Sequence, residues 1–146
     1  MITSKNNPYK TIFKILSDFK KAVIFINGPM GVGKTSFSRE LSKLYSINCV
    51  NSSSFSLINI FFGDRTLIHA DFYRQRYTQE LFEDEILPYL DKSYLLLFEW
   101  CEPSLIDQGA QHFSLDISLS KYGTRKYIFN TFPNSKSILA NILFHE

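Results

Sequence analysis

Apolar positions along this chain alternate between two periods, and each switch marks a predicted element. Ile12, Ile15, Leu16 and Phe19 recur at i, i+3, i+4 and i+7, which predicts a short helix that covers one face of a sheet. The apolar run Ala22-Val23-Ile24-Phe25-Ile26 reads as a strand, and Phe37, Leu41, Leu44 and Tyr45 then return to helical spacing. After Ile47 to Val50 comes a polar stretch, Asn51-Ser52-Ser53-Ser54, followed by two β-rich runs, Phe55 to Phe62 and Arg65 to Ala70. The Gly63-Asp64 pair between them predicts a type II′ hairpin, so this part of the sheet is expected to be antiparallel and the sheet as a whole mixed. Thr78 to Leu90 places Leu81, Phe82, Ile86 and Leu87 at helical spacing among acidic residues, with Pro88 disturbing the last turn. A buried strand is predicted at Tyr94 to Phe98. Two more, Gln111 to Ser120 and Arg125 to Thr131, flank Lys121-Tyr122-Gly123-Thr124, and an amphipathic segment with Ile138, Leu139, Ile142 and Leu143 ends the chain.

Between the first strand and the helix that follows lies Gly28-Pro29-Met30-Gly31-Val32-Gly33-Lys34-Thr35, which meets the pattern GxxxxGK[ST] in its expected strand, loop, helix context. Glycines let such a backbone curl so that successive N–H groups face phosphate oxygens, and the start of the helix near Lys34 adds its positive dipole end. Lys34 is expected to reach the β- and γ-phosphates, and the Thr35 hydroxyl to ligate Mg²⁺. The bland alternative, a glycine-rich turn joining strand to helix, is disfavoured by eight constrained positions in the right setting.

Hydrolysis needs a second group for the metal and the attacking water, which directs attention to acids at the ends of apolar strands. Asp71 closes Thr66-Leu67-Ile68-His69-Ala70, and Glu99 closes Tyr94-Leu95-Leu96-Leu97-Phe98. Either could hold Mg²⁺ or a metal-bound water, and either could be a solvated strand-end carboxylate. If His69 to Arg74 is extended, His69, Asp71 and Tyr73 project together, making His69 a candidate orienter of the metal site rather than a satisfied structural histidine. Arg74 fits a phosphate contact or, slightly better, an ion pair with an acid of the next helix. Ser54, in the polar stretch after the loop's helix, is placed to sense the γ-phosphate through Mg²⁺, although the composition of that stretch also suits a flexible loop.

Composition narrows the partners. The 146 residues suffice for one domain, 1–146, with a real core. A formal charge of +2 and no long basic block argue against a nucleic-acid groove. Cys49 and Cys101 lack metal spacing and read as packing residues of a reduced, cytoplasmic protein. Met1 to Lys21 is polar, and no apolar run approaches the roughly twenty residues of a membrane span.

Taken together, GPMGVGKT, Ser52-Ser53-Ser54-Phe55, His69-Ala70-Asp71-Phe72-Tyr73-Arg74 and Phe98-Glu99-Trp100 resemble the TsaE (YjeE) family, over about Ala22 to Trp100. The Gly123-Thr124-Arg125 turn is similar to that family's last hairpin. The loop pattern is shared by many families, whereas the HxDxYR and EW elements are far more specific. The resemblance implies an α/β fold of the P-loop NTPase type: a three-layer sandwich with a mixed, mostly parallel sheet and an antiparallel hairpin. It further implies ATP and Mg²⁺ as ligands, slow hydrolysis, and association with the TsaB–TsaD pair that modifies adenosine 37 of tRNA, so that tRNA is met only indirectly and no membrane is involved. Carried over residue by residue, Gly28, Pro29, Met30, Gly31, Val32, Gly33, Lys34, Thr35, Ser36, Ser54 and Trp100 hold the nucleotide. Thr35, Ser54, Asp71 and Glu99 serve the metal, and Lys34, Asp71 and Glu99 the chemistry, with the division of metal and water between the two acids left open. The family's usual Ser-Pro-Thr is replaced here by Ser52-Ser53-Ser54, a sensing loop without its rigidifying proline.

Two other functions compete. A small phosphoryl-transfer kinase would use Asp71 or Glu99 as base, but after Trp100 the chain has only Arg125 to offer an arginine lid. A nucleotide-sensing module without turnover would close the Ser52 to Ser54 loop on ATP to expose a partner face.

Overall fold

The computed structural model describes residues 2–4, 7–47, 57–133 and 142–145. Among these, eight strands form one mixed sheet: β1 (Ile2–Ser4), β2 (Lys21–Asn27), β3 (Ile58–Phe61), β4 (Thr66–Asp71), β5 (Tyr94–Glu99), β6 (Gln111–Leu119), β7 (Arg125–Phe132) and β8 (Ile142–His145). Their order is β1-β8-β7-β6-β2-β5-β4-β3. β2 runs parallel to both its neighbours, β5 and β6, and β4 parallel to β5. The pairs β3–β4, β6–β7 and β7–β8 are antiparallel.

Helices cover both faces, which is why the central strands are apolar at every position rather than at alternate ones. On one side lie α1 (Pro8–Leu16) and α2 (Lys34–Lys43), whose Ile12, Leu16, Phe37 and Leu41 pack on Ala22, Ile24, Ile26, Leu67, Leu95 and Leu97. The other parity of the same strands, Val23, Phe25, Ile68, Ala70, Leu96 and Phe98, meets Leu81, Phe82 and Ile86. The result is the expected three-layer sandwich. α1 starts where Asn7 accepts the N–H groups of Tyr9 and Lys10, with Pro8 in the first turn. No helix among the described residues is long and apolar enough to cross a membrane.

Some elements differ from the sequence expectation. The segment after Thr78 is a single α-helical turn, α3 (Gln79–Leu81), that widens to π turns over Phe82–Ile86 and tightens to a 3-10 turn over Leu87–Tyr89. Pro88 explains the change, because it lacks an N–H and its ring crowds the carbonyl four residues earlier. β3 and β4 pair antiparallel, as Gly63-Asp64 suggested, but the turn is not type II′. That turn needs a positive φ at Gly63, whose φ is not positive, and the connection extends from Phe62 to Arg65. The terminal amphipathic segment ends in a strand, β8, between β7 and β1, and Ile138 to Asn141 lie outside the described residues. Nothing in the polar pattern of Met1 to Lys21 predicts β1.

Arg65 supplies the reason the turn is long. Its side chain is buried and reaches under α1, where Nη2 donates to the carbonyls of Phe19 (2.9 Å), Lys20 (2.7 Å) and Tyr94 (2.6 Å) and Nη1 to that of Leu16 (3.4 Å). Leu16, Phe19 and Lys20 lie where α1 ends and β2 begins and Tyr94 opens β5, so one guanidinium ties helix, two central strands and hairpin together. Arg65→Ala removes these bonds from the end of the helix and from both strands, and is expected to cost about 3 kcal/mol in urea unfolding.

His112 is a second buried polar group with a defined task. Its Nδ1–H donates to the Ala110 carbonyl (3.0 Å), and its Nε2 accepts the Ile106 N–H (3.2 Å), so both ring nitrogens are matched only in the neutral form. Burial pushes its pKa down, against the opposing pull of the Ala110 carbonyl and Asp107. The folded state therefore binds this proton less readily than the unfolded chain. Its contribution is expected to be complete above about pH 6.5 and to fall as pH drops below that. Urea titrations from pH 5 to 7.5 are expected to show a slope that His112→Gln removes.

Candidate nucleotide site

At the C-terminal end of β2 the chain turns back through Gly28 to Gly33 and enters α2. Two glycines are required by their surroundings. Gly28 has φ +152°, and a Cβ there would come within 2.6 Å of the Ile117 carbonyl oxygen. Gly33, at φ +109°, is the N-cap of α2, and its carbonyl accepts the Phe37 N–H (2.9 Å). The first N–H groups of α2 consequently open toward the loop.

Lys34 is almost fully buried. Its ammonium donates to the carbonyls of Gly28 (2.8 Å) and Pro29 (3.0 Å) and lies 4.3 Å from the centre of the Trp100 ring. Desolvation lowers its pKa, while the charges of Glu99 and Asp71 act to raise it. Both acids line the same cleft as this ammonium.

Strand parity explains how they get there. Asp71 and Glu99 are register partners at the ends of β4 and β5, and their parity is that of Leu67, Leu95 and Leu97, which face α2. Glu99, 2% exposed, accepts the Thr35 hydroxyl at 3.1 and 3.2 Å and, through Oε2, a hydrogen bond from His69 Nε2. His69 shares this face, two residues before Asp71, but β4 ends at Asp71, so the extended row expected over His69, Asp71 and Tyr73 stops short of Tyr73. Asp71 Oδ1 accepts the Tyr73 N–H (3.0 Å), closing the turn that leaves β4.

A cleft of about 330 Å³ joins these groups. Met30, Gly31, Gly33, Lys34, Thr35 and Ser36 form its loop side, and Asp71, Tyr73, Glu99 and Trp100 the opposite wall. Gly28 lines an adjoining recess of about 190 Å³, again with Lys34 and Trp100. Pro29 takes part through its carbonyl, and the Val32 side chain is buried in the core beneath the loop. Arg74 is exposed and is not part of the cleft wall. Ser54, the rest of the Ser52 to Ser54 loop and Cys49 lie outside the described residues. Cys101 is buried, and burial together with the Glu102 charge pushes its thiol up to about 12, the behaviour of a packing residue rather than a nucleophile.

The rim of the cleft is apolar and open: Met30 is 66% and Tyr73 55% exposed, and the Tyr73 and Trp100 rings lie 5.0 Å apart. Nothing in the order of residues signals that Arg125 meets the loop. Its Nε donates to the Val32 carbonyl (2.8 Å) from β7, a contact between residues 93 positions apart that only strand pairing produces.

Among the described residues no group of three or more His, Cys, Asp and Glu side chains could hold a metal ion. Mg²⁺ asks for less, since it keeps several waters and takes one or two carboxylates together with substrate phosphates. The oxygen donors here, the Thr35 hydroxyl with the carboxylates of Glu99 and Asp71, fit that requirement.

The model of the family "Threonylcarbamoyl adenosine biosynthesis protein TsaE" matches residues 4–127, which hold every described group of the cleft. The chain belongs to the TsaE family. A Rickettsia felis protein described as tRNA threonylcarbamoyladenosine biosynthesis protein TsaE is 30% identical over 107 residues, 70% of this chain and 62% of the relative. A Rickettsia conorii protein of the same description is 31% identical over 98 residues, 64% of this chain and 55% of the relative. The chain thus spans less than two thirds of the length of these curated relatives. Among solved structures, Bacillus YdiB superposes with a TM-score of 0.55 at 24% identity, over 85% of this chain and 80% of YdiB, a likeness of fold.

In this TsaE-family chain Trp100 itself has φ +56°, a left-handed conformation that burdens any residue with a Cβ. Replacement by glycine relieves that burden and replacement by alanine does not. Trp100→Gly is expected to exceed Trp100→Ala in stability by about 1 kcal/mol, read from paired denaturant titrations.

Proposed function

We propose that the cleft binds ATP with Mg²⁺, that the protein hydrolyses it slowly, and that it serves tRNA threonylcarbamoyladenosine biosynthesis. In this role its nucleotide cycle resets a TsaB–TsaD pair that acts on adenosine 37, so tRNA is met through that pair. The supporting observation is convergence: two carboxylates from separate strands, Asp71 and Glu99, meet the loop lysine and threonine in one cleft.

The residues divide the work by chemistry. Backbone N–H groups of the loop and of the first turn of α2 receive the phosphates. Lys34 exchanges the carbonyls of Gly28 and Pro29 for β- and γ-phosphate oxygens, a favourable trade because an oxygen of an anionic phosphate is a stronger acceptor than a neutral carbonyl. Thr35 and Asp71 hold Mg²⁺, directly or through water, and Mg²⁺ when bound offsets the negative charge that develops on the transferring phosphoryl group. With the Thr35 hydroxyl given over to Mg²⁺, Glu99 would keep its bond from His69 and would have an acceptor site free for the attacking water. Among the described residues no arginine lines the cleft, and the lack of an arginine finger beside Lys34 at the transferring phosphate costs a factor of about 10³ to 10⁵, which makes turnover slow without a partner.

Phosphate release is the direct measurement, made with ATP alone, with TsaB–TsaD and with candidate acceptors. Stimulation by the pair is expected, and ADP formation that depends on an acceptor would replace this reading with the kinase. Lys34→Ala is expected to abolish nucleotide binding. Glu99→Ala is expected to keep binding while hydrolysis falls about a hundredfold or more. A Glu99→Ala protein as fast as its parent would remove Glu99 from the site.

A further inference from the structure

Both ends of the phosphate loop press against one element, the hairpin of β6 and β7. At the entrance, Gly28 lies so close to Ile117 of β6 that a Cβ would come within 2.6 Å of its carbonyl oxygen. At the exit, a Cβ on Gly33 would lie 3.0 to 3.2 Å from Nε, Cζ and Nη2 of Arg125, so the guanidinium closes over Gly33. Its Nε also donates to the carbonyl of Val32 at 2.8 Å. The hairpin is itself tightly held beneath Arg125. Leu119 and Arg125 are register partners, Ser120 N–H donates to the Thr124 carbonyl (2.8 Å), and the Ser120 and Thr124 hydroxyls bond at 2.6 Å.

We infer that Arg125 is a positioning residue for the nucleotide: it fixes the Val32–Gly33 peptide so that the Gly33 N–H is aimed at a bound phosphate. The argument is geometric. A trans peptide is planar, and its C=O and N–H point in opposite directions. Arg125 holds the Val32 carbonyl, so the N–H of Gly33 points the opposite way, away from that donor, and Gly33 and Lys34 both line the cleft. Without that tie the peptide can rotate, because glycine accepts either orientation at little cost. An anion would then meet a cradle that has to be ordered during binding. The sequence separation matters as well. Because the tie comes from β7, the loop's shape depends on a correctly paired hairpin rather than on the loop residues alone.

This inference rests on the nucleotide reading of the cleft, and one set of measurements separates the two. Binding of a fluorescent N-methylanthraniloyl ATP with Mg²⁺ is compared among wild type, Arg125→Ala and Arg125→Lys, with thermal unfolding and the Gly33 amide resonance recorded for each nucleotide-free protein. Arg125→Ala is expected to bind about tenfold more weakly, the loss of roughly one hydrogen bond in the bound state. Arg125→Lys keeps the charge but not the planar donor over Gly33, so it is expected to be weakened as well. In both variants the Gly33 amide resonance should shift while the unfolding temperature stays near that of wild type. Wild-type binding with either variant binding equally tightly overturns the role given to Arg125 and leaves the nucleotide reading standing. Affinity that falls only in step with unfolding, with no change at Gly33, assigns Arg125 to the scaffold and overturns it too. No binding by wild type overturns both.

Discussion

A carboxylate that is 2% exposed has to be hydrogen-bonded, and the way Glu99 meets that demand organises the whole C-terminal edge of the sheet. Its partners come from two directions: the Thr35 hydroxyl from the first turn of α2, and His69 Nε2 from β4. Satisfying one buried acid therefore docks the helix that follows the loop and the strand that carries Asp71. Were Glu99 an apolar residue, α2 could still pack on β5 through Phe37 and Leu41, but nothing would fix the rotation of Thr35 or the approach of His69. The candidate site and the local architecture share the same bonds.

The cleft is also balanced electrically in a way suited to exchange. Lys34 is nearly buried, held by two loop carbonyls and the Trp100 ring, while two carboxylates act on it from the opposite wall. Each of these contacts is weaker than the contact a polyphosphate offers to an ammonium. The arrangement keeps the lysine ordered and close to the loop, yet leaves it ready to change partners. Above it, Met30, Tyr73 and Trp100 form a rim of large apolar side chains open to solvent.

Much of this was legible in sequence order because it is local. The continuous apolar runs of β2 and β5 follow from burial on both faces, the glycines of the loop from backbone angles that other residues resist, and the row of His69 and Asp71 from the two-residue period of a strand. Pro88 announced trouble in the helix after Thr78, though not the π turns that resolved it. The type II′ turn at Gly63-Asp64 failed for a reason the local sequence does not contain. Arg65 is drawn beneath α1 by four carbonyls from residues 16 to 20 and from Tyr94, and the turn lengthens to let it go.

What the amino-acid sequence determined by itself was the supply of parts: a loop able to curl around phosphate, two acids at strand ends, and the periods that make strands and helices. Only the tertiary structure decided that β5 lies beside β2, so that Glu99 reaches Thr35 across 64 positions, and that β7 brings Arg125 onto Val32 across 93. The physical reason is that strand order and register are set by packing over the entire core, whereas motifs and periods are set by forces between near neighbours along the chain.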